Sequence, residues 1–480
     1  MKINLQNIGI VKDSNIQLDG LTIITGQNNS GKTTVGKVIY SLIDAVSNLQ
    51  QKARLDRQRY IERVISRDVT SALDMFRVVR HTSKAESVFG EDSIFEQLFL
   101  NNSRNTRIND DVEAFAHHIH EELKNINFEQ LKTNKEFIRY NSRIISTRHD
   151  PEAVIEVFEN QTLTAIAILE KMFRKVENDA ELLSYARESI NYTLRKEFAS
   201  QIQPVSKKVA ISKIKLIDED SICFKIDIVN NQIKNTEDPV FISVPYKQAF
   251  FIDNPFIIDT GTIGARALFR RQDDEESDTF LDTDRILTHD FMLKNVLKSK
   301  RSKSFLEESV IKDELIEIKR VLDEAIPGEF EFGSEGEYYV NQGKKLRISN
   351  LATGSKMFSI IKVLLEKGEI SDTTMLILDE PEAHLHPSWQ NKFAEVIVLL
   401  VKILKVNILL TTHSPNFTLA IDAYMRKYDI SNVTNFYQTE QDGDGFIKYK
   451  CVNGDMGIIY SDFMQYLSEV KALRDTFVDE

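Results

Sequence analysis

Apolar and polar positions along this chain change rhythm several times, and each change marks a different kind of element. Residues 4–11 and 15–18 alternate between apolar and polar, which predicts a short antiparallel strand pair. Leu21-Thr22-Ile23-Ile24-Thr25 is a compact apolar run between two glycines and predicts a buried strand, with a helix beginning at Val35. From 45 to 199 glycine is nearly absent and apolar residues fall at helical spacing, as in Phe115, Ile119 and Leu123, then Val154, Ile155, Phe158, Leu163, Ile166 and Leu169. No heptad repeat is sustained, so this predicts an all-helical insertion and not a long coiled-coil arm.

Strand character returns at 209–217 and 222–229 around the turn Asp218-Glu219-Asp220, and again at 240–244 and 249–252. Residues 259–284 are a polar loop containing Asp273-Asp274-Glu275-Glu276, 305–325 are helical, and 330–340 form a hairpin. The last third alternates: helix 351–367, strand 375–378, helix 388–403, strand 406–410, then a hairpin turning at 441–445 and a helix at 458–473. Alternation of this kind predicts an α/β fold with a mainly parallel sheet. The expected organisation is an N-terminal lobe at 1–44, a helical insertion at 45–204, further strands of the same domain at 205–258, a loop and helical lid at 259–339, and a C-terminal lobe at 340–480.

Composition narrows the class. The chain has 480 residues, enough for two or three domains, and 42% of them are hydrophobic. Sixty-one Lys and Arg stand against 73 Asp and Glu, a net charge of −12, which argues against a general nucleic-acid coat. Cys223 and Cys451 match no ligand spacing and read as reduced thiols. The apolar run 396–404 is short and interrupted by Lys402, so no membrane span is expected, and the chain reads as cytoplasmic.

The chemistry is carried by three segments. Gly26-Gln27-Asn28-Asn29-Ser30-Gly31-Lys32-Thr33-Thr34 has the form GxxxxGK[ST] between a strand and a helix, the arrangement that cradles a nucleoside triphosphate. The glycines open the backbone N–H groups of Asn28, Asn29, Ser30 and their neighbours to phosphate, Lys32 reaches the β- and γ-phosphates, and the Thr33 hydroxyl binds Mg²⁺. Thr374-Met375-Leu376-Ile377-Leu378-Asp379-Glu380 is an apolar strand ending in two acids: Asp379 to orient Mg²⁺, Glu380 to serve as general base on the attacking water. A second buried strand ends in Thr411-Thr412-His413-Ser414-Pro415, which places His413 where it can hydrogen-bond the γ-phosphate or the water.

Asn350-Leu351-Ala352-Thr353-Gly354-Ser355-Lys356 precedes an amphipathic helix and reads as a second anion-binding helix start, or as an ordinary N-cap turn. Three other features read as structural. His117, His118 and His120 on a helix are a weak metal pair, His384 and His386 sit in a turn, and Asp442 and Asp444 belong to a hairpin turn.

Together these segments resemble the ATP-binding cassette type of ATPase, in the branch that includes SMC, RecF and the OLD nucleases. Residues 350–356 resemble its signature loop. Pro381-Glu382-Ala383-His384-Leu385-His386-Pro387 resembles the hallmark following Walker B in OLD-like ATPases, including the PtuA- and AriA-like AAA family ATPases of bacterial anti-phage systems. The resemblance covers the phosphate loop and 350–415, not the helical insertion.

The resemblance implies a head-to-head dimer in which each ATP is held by one copy's phosphate loop and by Thr353, Gly354 and Ser355 of the other copy. It implies ATP and Mg²⁺ as cofactors, and a sensor or regulator that acts on a separate effector, a nuclease, with DNA or a phage component as a further candidate partner. The alternative it leaves open is a RecF- or SMC-like DNA-repair ATPase that clamps DNA. Two departures stand out. Ala352 replaces the signature serine, which implies slow turnover, and the Mg²⁺-contacting glutamine has only Gln232 and Gln248 as candidates. The 65 residues after Pro415 are too few for the nuclease domain of OLD enzymes, so nuclease activity is expected on another chain.

Overall fold

A computed structural model describes residues 1–74, 111–145, 150–178, 182–205, 209–218, 221–234, 244–259, 288–299, 315–333 and 336–475. The polar loop with its Asp273–Glu276 run, nearly all of the strand expected at 240–244 and the first half of the helix expected at 305–325 lie outside the described residues. The chain divides into two compact units, residues 1–47 with 186–480, and residues 48–185.

The first unit is built on one eleven-stranded sheet. Its strands in chain order are β1 (Lys2–Ile8), β2 (Val11–Gln17), β3 (Leu21–Thr25), β4 (Ser212–Asp218), β5 (Ser221–Val229), β6 (Gln232–Ile233) and β7 (Gln248–Ile252). A separate three-stranded sheet follows, β8 (Glu329–Gly333), β9 (Gly336–Asn341) and β10 (Lys344–Arg347), before the large sheet resumes with β11 (Thr374–Asp379), β12 (Asn407–Thr412), β13 (Thr434–Gln441) and β14 (Ile447–Cys451). The strand order of the large sheet is β6-β5-β4-β1-β2-β14-β13-β3-β12-β11-β7.

The sheet is mixed, which corrects the expectation of a mainly parallel one. The run β13-β3-β12-β11-β7 is parallel throughout, whereas β6-β5-β4-β1-β2 is antiparallel throughout. Connection length accounts for the hairpin pairs β1–β2, β4–β5 and β5–β6, while β1 and β4 pair antiparallel across a long excursion. Strands joined by tight turns return antiparallel, and those separated by a helix or a long excursion can run parallel.

The parallel strands are apolar almost end to end because both faces are covered. Leu21, Ile23, Phe250, Ile252, Leu376, Leu378, Ile408 and Leu410 enter one core, which also holds the helices Thr353–Glu366, Pro387–Leu404 and Pro415–Lys427. Their alternates Ile24, Phe251, Met375, Ile377 and Leu409 enter a second core on the other face, under the helix Lys32–Val46. Alternation within a continuous apolar run therefore feeds two cores at once. The result is an α/β head that carries the glycine-rich loop after β3 and whose sequence is split by a helical unit.

That unit, residues 48–185, packs the helices Leu49–Arg63, Val112–Lys124, Phe128–Thr133, Lys135–Ile144 and Pro151–Asn178 around Ile61, Ile119, Leu123, Phe158, Leu169 and Met172. It is shorter than the 45–204 expected, because Ile190 and Leu194 of the returning helix Leu182–Glu197 belong to the head's core. His117 stacks on Phe173 with centroids 4.1 Å apart, and His118 is exposed beside Glu122.

Candidate functional site

Because β3, β12, β11 and β7 are parallel and in register, the residues that follow them meet at one edge of the sheet. After β3 the chain turns into the helix Lys32–Val46 through Gly31, whose φ of 74° lies in the left-handed region. Gly26 is required for a different reason: a Cβ there would collide with the Thr439 hydroxyl of β13. The hairpin β13–β14 thus buttresses the phosphate loop, and Tyr449 adds a hydrogen bond from its hydroxyl to the Gly31 carbonyl at 2.7 Å.

Lys32 is 4% exposed and its Nζ lies 3.0 Å from the Gly26 carbonyl, 2.8 Å from that of Gln27 and 3.5 Å from Glu380 Oε1. Thr33 Oγ1 donates to Asp379 Oδ2 at 2.7 Å, across 346 residues of sequence, and Thr411 Oγ1 donates to Asp379 Oδ1. Burial raises the pKa of Asp379, with the two hydroxyls opposing that shift. A carboxylate in such surroundings gains most from an adjacent cation, and the Thr33 hydroxyl beside it completes a pair of oxygen ligands suited to Mg²⁺.

Glu380 holds a left-handed φ of 49°, unusual for a side chain of its size, and is pinned there by its N–H donating to the Thr411 carbonyl at 3.1 Å. That backbone turn points the carboxylate between Lys32 and His413, whose Nδ1 is 3.2 Å from Glu380 Oε1. The next acid, Glu382, is buried against Thr412 Oγ1, and burial raises its pKa.

A cavity of about 450 Å³ opens here, lined by Gly9, Ile10, residues 28–34, Phe198, Gln201, Asp379 and Glu380. The donor set fits a triphosphate. The Ser30 hydroxyl is buried with no hydrogen-bond partner, and the loop offers its backbone to the cavity without large side chains.

Thr353, Gly354 and Ser355 do not line this cavity. They form the first turn of the helix Thr353–Glu366, whose N-cap, Ala352, provides no side-chain acceptor. A Cβ on Gly354 would sit 3.1 Å from the His384 carbonyl, so this turn packs directly on the 381–387 loop. Lys356 turns inward to Asp259. His386 is committed to capping the helix Pro387–Leu404, its Nδ1 accepting from the Ser388 N–H at 3.3 Å.

The glutamine candidates do not survive. Gln248 lies at the start of β7, the opposite end from the site, and donates to the Glu369 carbonyl at 2.6 Å. Gln232 is on the far edge strand β6. The residue that β7 does bring to the catalytic edge is Asp253, next in register to Asp379. Sequence reading missed it although the signal is the same as for Asp379, an apolar strand ending in an acid. Gly9, Ile10, Phe198 and Gln201 carry no such local signal.

The AAA ATPase domain matches residues 1–418 of this sequence. The chain belongs to the AAA ATPase domain family. It is an ATPase of that type, and the match spans the phosphate loop and the strands that lead to Asp379 and His413. No match was found among curated proteins. Among solved structures, similarity extends to an Smc head bound to the C-terminal winged-helix domain of ScpA (11% identity, TM-score 0.38, covering 95% of this chain and 98% of that one). It extends also to the SMC head domain of Thermotoga maritima (10%, 0.35, 94% and 98%) and to an Smc head of Pyrococcus furiosus with an extended coiled coil (11%, 0.30, 98% and 98%). At such scores these likenesses carry no functional weight. No helix among the described residues is long and apolar enough to cross a membrane.

Proposed function

We propose that this chain binds ATP with Mg²⁺, hydrolyses it slowly between two copies of itself, and uses the resulting open and closed states to regulate a separate effector, a nuclease, in anti-phage defence. The observation that supports hydrolysis is the convergence of Lys32, Thr33, Asp379 and Glu380 on one cavity, with His413 of a third segment held against Glu380.

Bound Mg²⁺ would supply charge neutralisation at the β- and γ-phosphates, held by Thr33 and Asp379. Lys32, now turned back onto the carbonyls of its own loop, swings to phosphate and leaves Glu380. Glu380 accepts a proton from the attacking water while His413 keeps that carboxylate aimed. Asn28, Asn29, Ser30, Gly31 and Thr34 present backbone donors to the phosphates. Thr353, Gly354 and Ser355 serve the nucleotide of the opposing copy, a role supported by their separation from the chain's own cavity. The uncapped turn at Ala352 fits weak trans contact and slow turnover.

The defence role rests on the resemblance of 381–387 to the OLD-like hallmark, and the cytoplasm is its proposed location. Two measurements test the proposal. The purified chain is expected to release phosphate from ATP and, with Glu380→Gln, to accumulate a dimer in ATP; equal turnover by wild type and Glu380→Gln would sink the hydrolytic assignment. Co-expression with the neighbouring open reading frame is expected to restrict phage plating in an Lys32-dependent way. Protection unaffected by Lys32→Ala would remove ATP from the defence role.

A further inference from the structure

Beside the nucleotide cavity lies a second cluster that the hydrolytic reading does not use. Glu197 ends the helix Leu182–Glu197, Asp253 follows β7, and His289 and Asp290 open the helix Thr288–Lys298. The His289 side chain is fully buried, wedged against Phe251 at 4.6 Å and Tyr40 at 5.8 Å between ring centroids. Its Nδ1 lies 2.6 Å from Glu197 Oε2, and Glu197 Oε1 also accepts from the His289 backbone N–H at 3.1 Å and from Thr288 Oγ1. Glu197 therefore fixes the ring's orientation and holds the proton on Nδ1.

The other nitrogen, Nε2, is buried and makes no hydrogen bond. It faces Asp253 Oδ1 at 3.3 Å and Asp290 Oδ1 at 3.7 Å, and one ligand atom from each of the three residues lies within 4.8 Å of the others. The 3.3 Å separation falls within the roughly 3–3.5 Å between neighbouring donors around an ion with bonds of about 2.1 Å, and the 3.7 Å separation to Asp290 would have to close by a few tenths of an ångström. Both carboxylates are about a quarter exposed, so the cluster has a path to solvent.

We propose that Asp253, His289 Nε2 and Asp290 form a binding site for a divalent transition ion, distinct from the nucleotide's Mg²⁺, with Glu197 as the outer carboxylate that orients the imidazole. One imidazole nitrogen with two carboxylates favours Mn²⁺, Fe²⁺ or Zn²⁺ over Mg²⁺ or Ca²⁺. A carboxylate behind a ligating histidine is the usual means of fixing its tautomer. Burial lowers the pKa of His289, but Asp253 and Glu197 raise it further, to about 9, so an ion binding here displaces a proton from Nε2. Lys37, which donates to the Glu197 carbonyl at 3.1 Å, and Lys294 are the other positive groups acting on these carboxylates. A metal here would tie the returning helix, the end of β7 and the helix Thr288–Lys298 to one point.

The test uses the full chain without nucleotide or Mg²⁺, titrated with Mn²⁺ and followed by electron paramagnetic resonance. One Mn²⁺ per chain is expected, with nitrogen coupling in the spin-echo spectrum, displaceable by Zn²⁺. Asp290→Asn, on the partly exposed side and so harmless to the core, should abolish binding. Glu197→Gln should weaken it about 10- to 100-fold. His289→Gln should remove the nitrogen coupling, and with no nucleotide present Asp379→Asn should leave the Mn²⁺ stoichiometry and nitrogen coupling of this cluster unchanged. Absence of Mn²⁺ binding up to millimolar concentration would overturn the site and assign the place to a proton. So would binding that disappears in Asp379→Asn but persists in Asp290→Asn, which would assign the ion to the nucleotide site. Neither outcome bears on ATP hydrolysis, which the phosphate-release assay measures separately.

Discussion

Two helices in this head begin at loops suited to an anion, and they are unlike in every other respect. The helix Lys32–Val46 starts from a left-handed glycine, carries a buried lysine at its first position, and has Asp379, Glu380 and, beyond them, His413 drawn up against it. The helix Thr353–Glu366 starts from Ala352 without a side-chain cap and packs its glycine on the carbonyl of His384, and its first turn contributes nothing to the cavity of its own chain. A helix start by itself is a weak anion site. The first becomes a candidate catalytic centre because parallel strands deliver acids to it; the second has no acids delivered by strand ends and gains meaning only if another copy brings the nucleotide to it.

Variants can break or sharpen that contrast. The largest effect is expected from Glu380→Gln, which should lower kcat about 10²- to 10⁴-fold by removing the base while leaving ATP affinity intact. Phosphate release and equilibrium binding measured on one preparation separate the two quantities. Lys32→Ala should weaken ATP binding about 10- to 150-fold, the loss of charge-assisted contacts to phosphate, as read by calorimetry. An unchanged affinity would put the nucleotide elsewhere.

Gly354→Asp should leave binding intact but depress turnover, and mixing it with Lys32→Ala should restore at most one competent interface per dimer. Full turnover by Gly354→Asp alone would remove the second helix from the reaction. The smallest expected effect is that of Ala352→Ser, which restores an N-cap and should stabilise the fold by about 0.5–1 kcal/mol in thermal unfolding. An accompanying rise in kcat would tie slow turnover to that position.

How far the site could be read before the fold depended on where its signals lay. The phosphate loop, Asp379, Glu380 and His413 each carry a local pattern, a glycine-rich turn or an apolar run with a polar end, and the structure brings Lys32, Thr33, Asp379, Glu380 and His413 into contact. Asp253 carries the same pattern but is single, and Gln248 drew attention by residue type although it stands at the wrong end of the same strand. Glu197 and His289 could not have been paired from sequence, being 92 residues apart with no motif around either.

The sequence alone marked the glycine-rich loop at 26–34, the apolar strand ending in Asp379 and Glu380, the alternation of the last third and the helical character of the insertion expected at 45–204, because each is written in neighbouring residues or in periods of two and 3.6. Only the tertiary structure decided that half of the sheet is antiparallel and that Thr439 and Tyr449 brace the phosphate loop. It also decided that three carboxylates surround one buried histidine. These are contacts between residues far apart in the chain. They depend on strand order, and strand order is set by which apolar faces can be buried together, not by any local pattern.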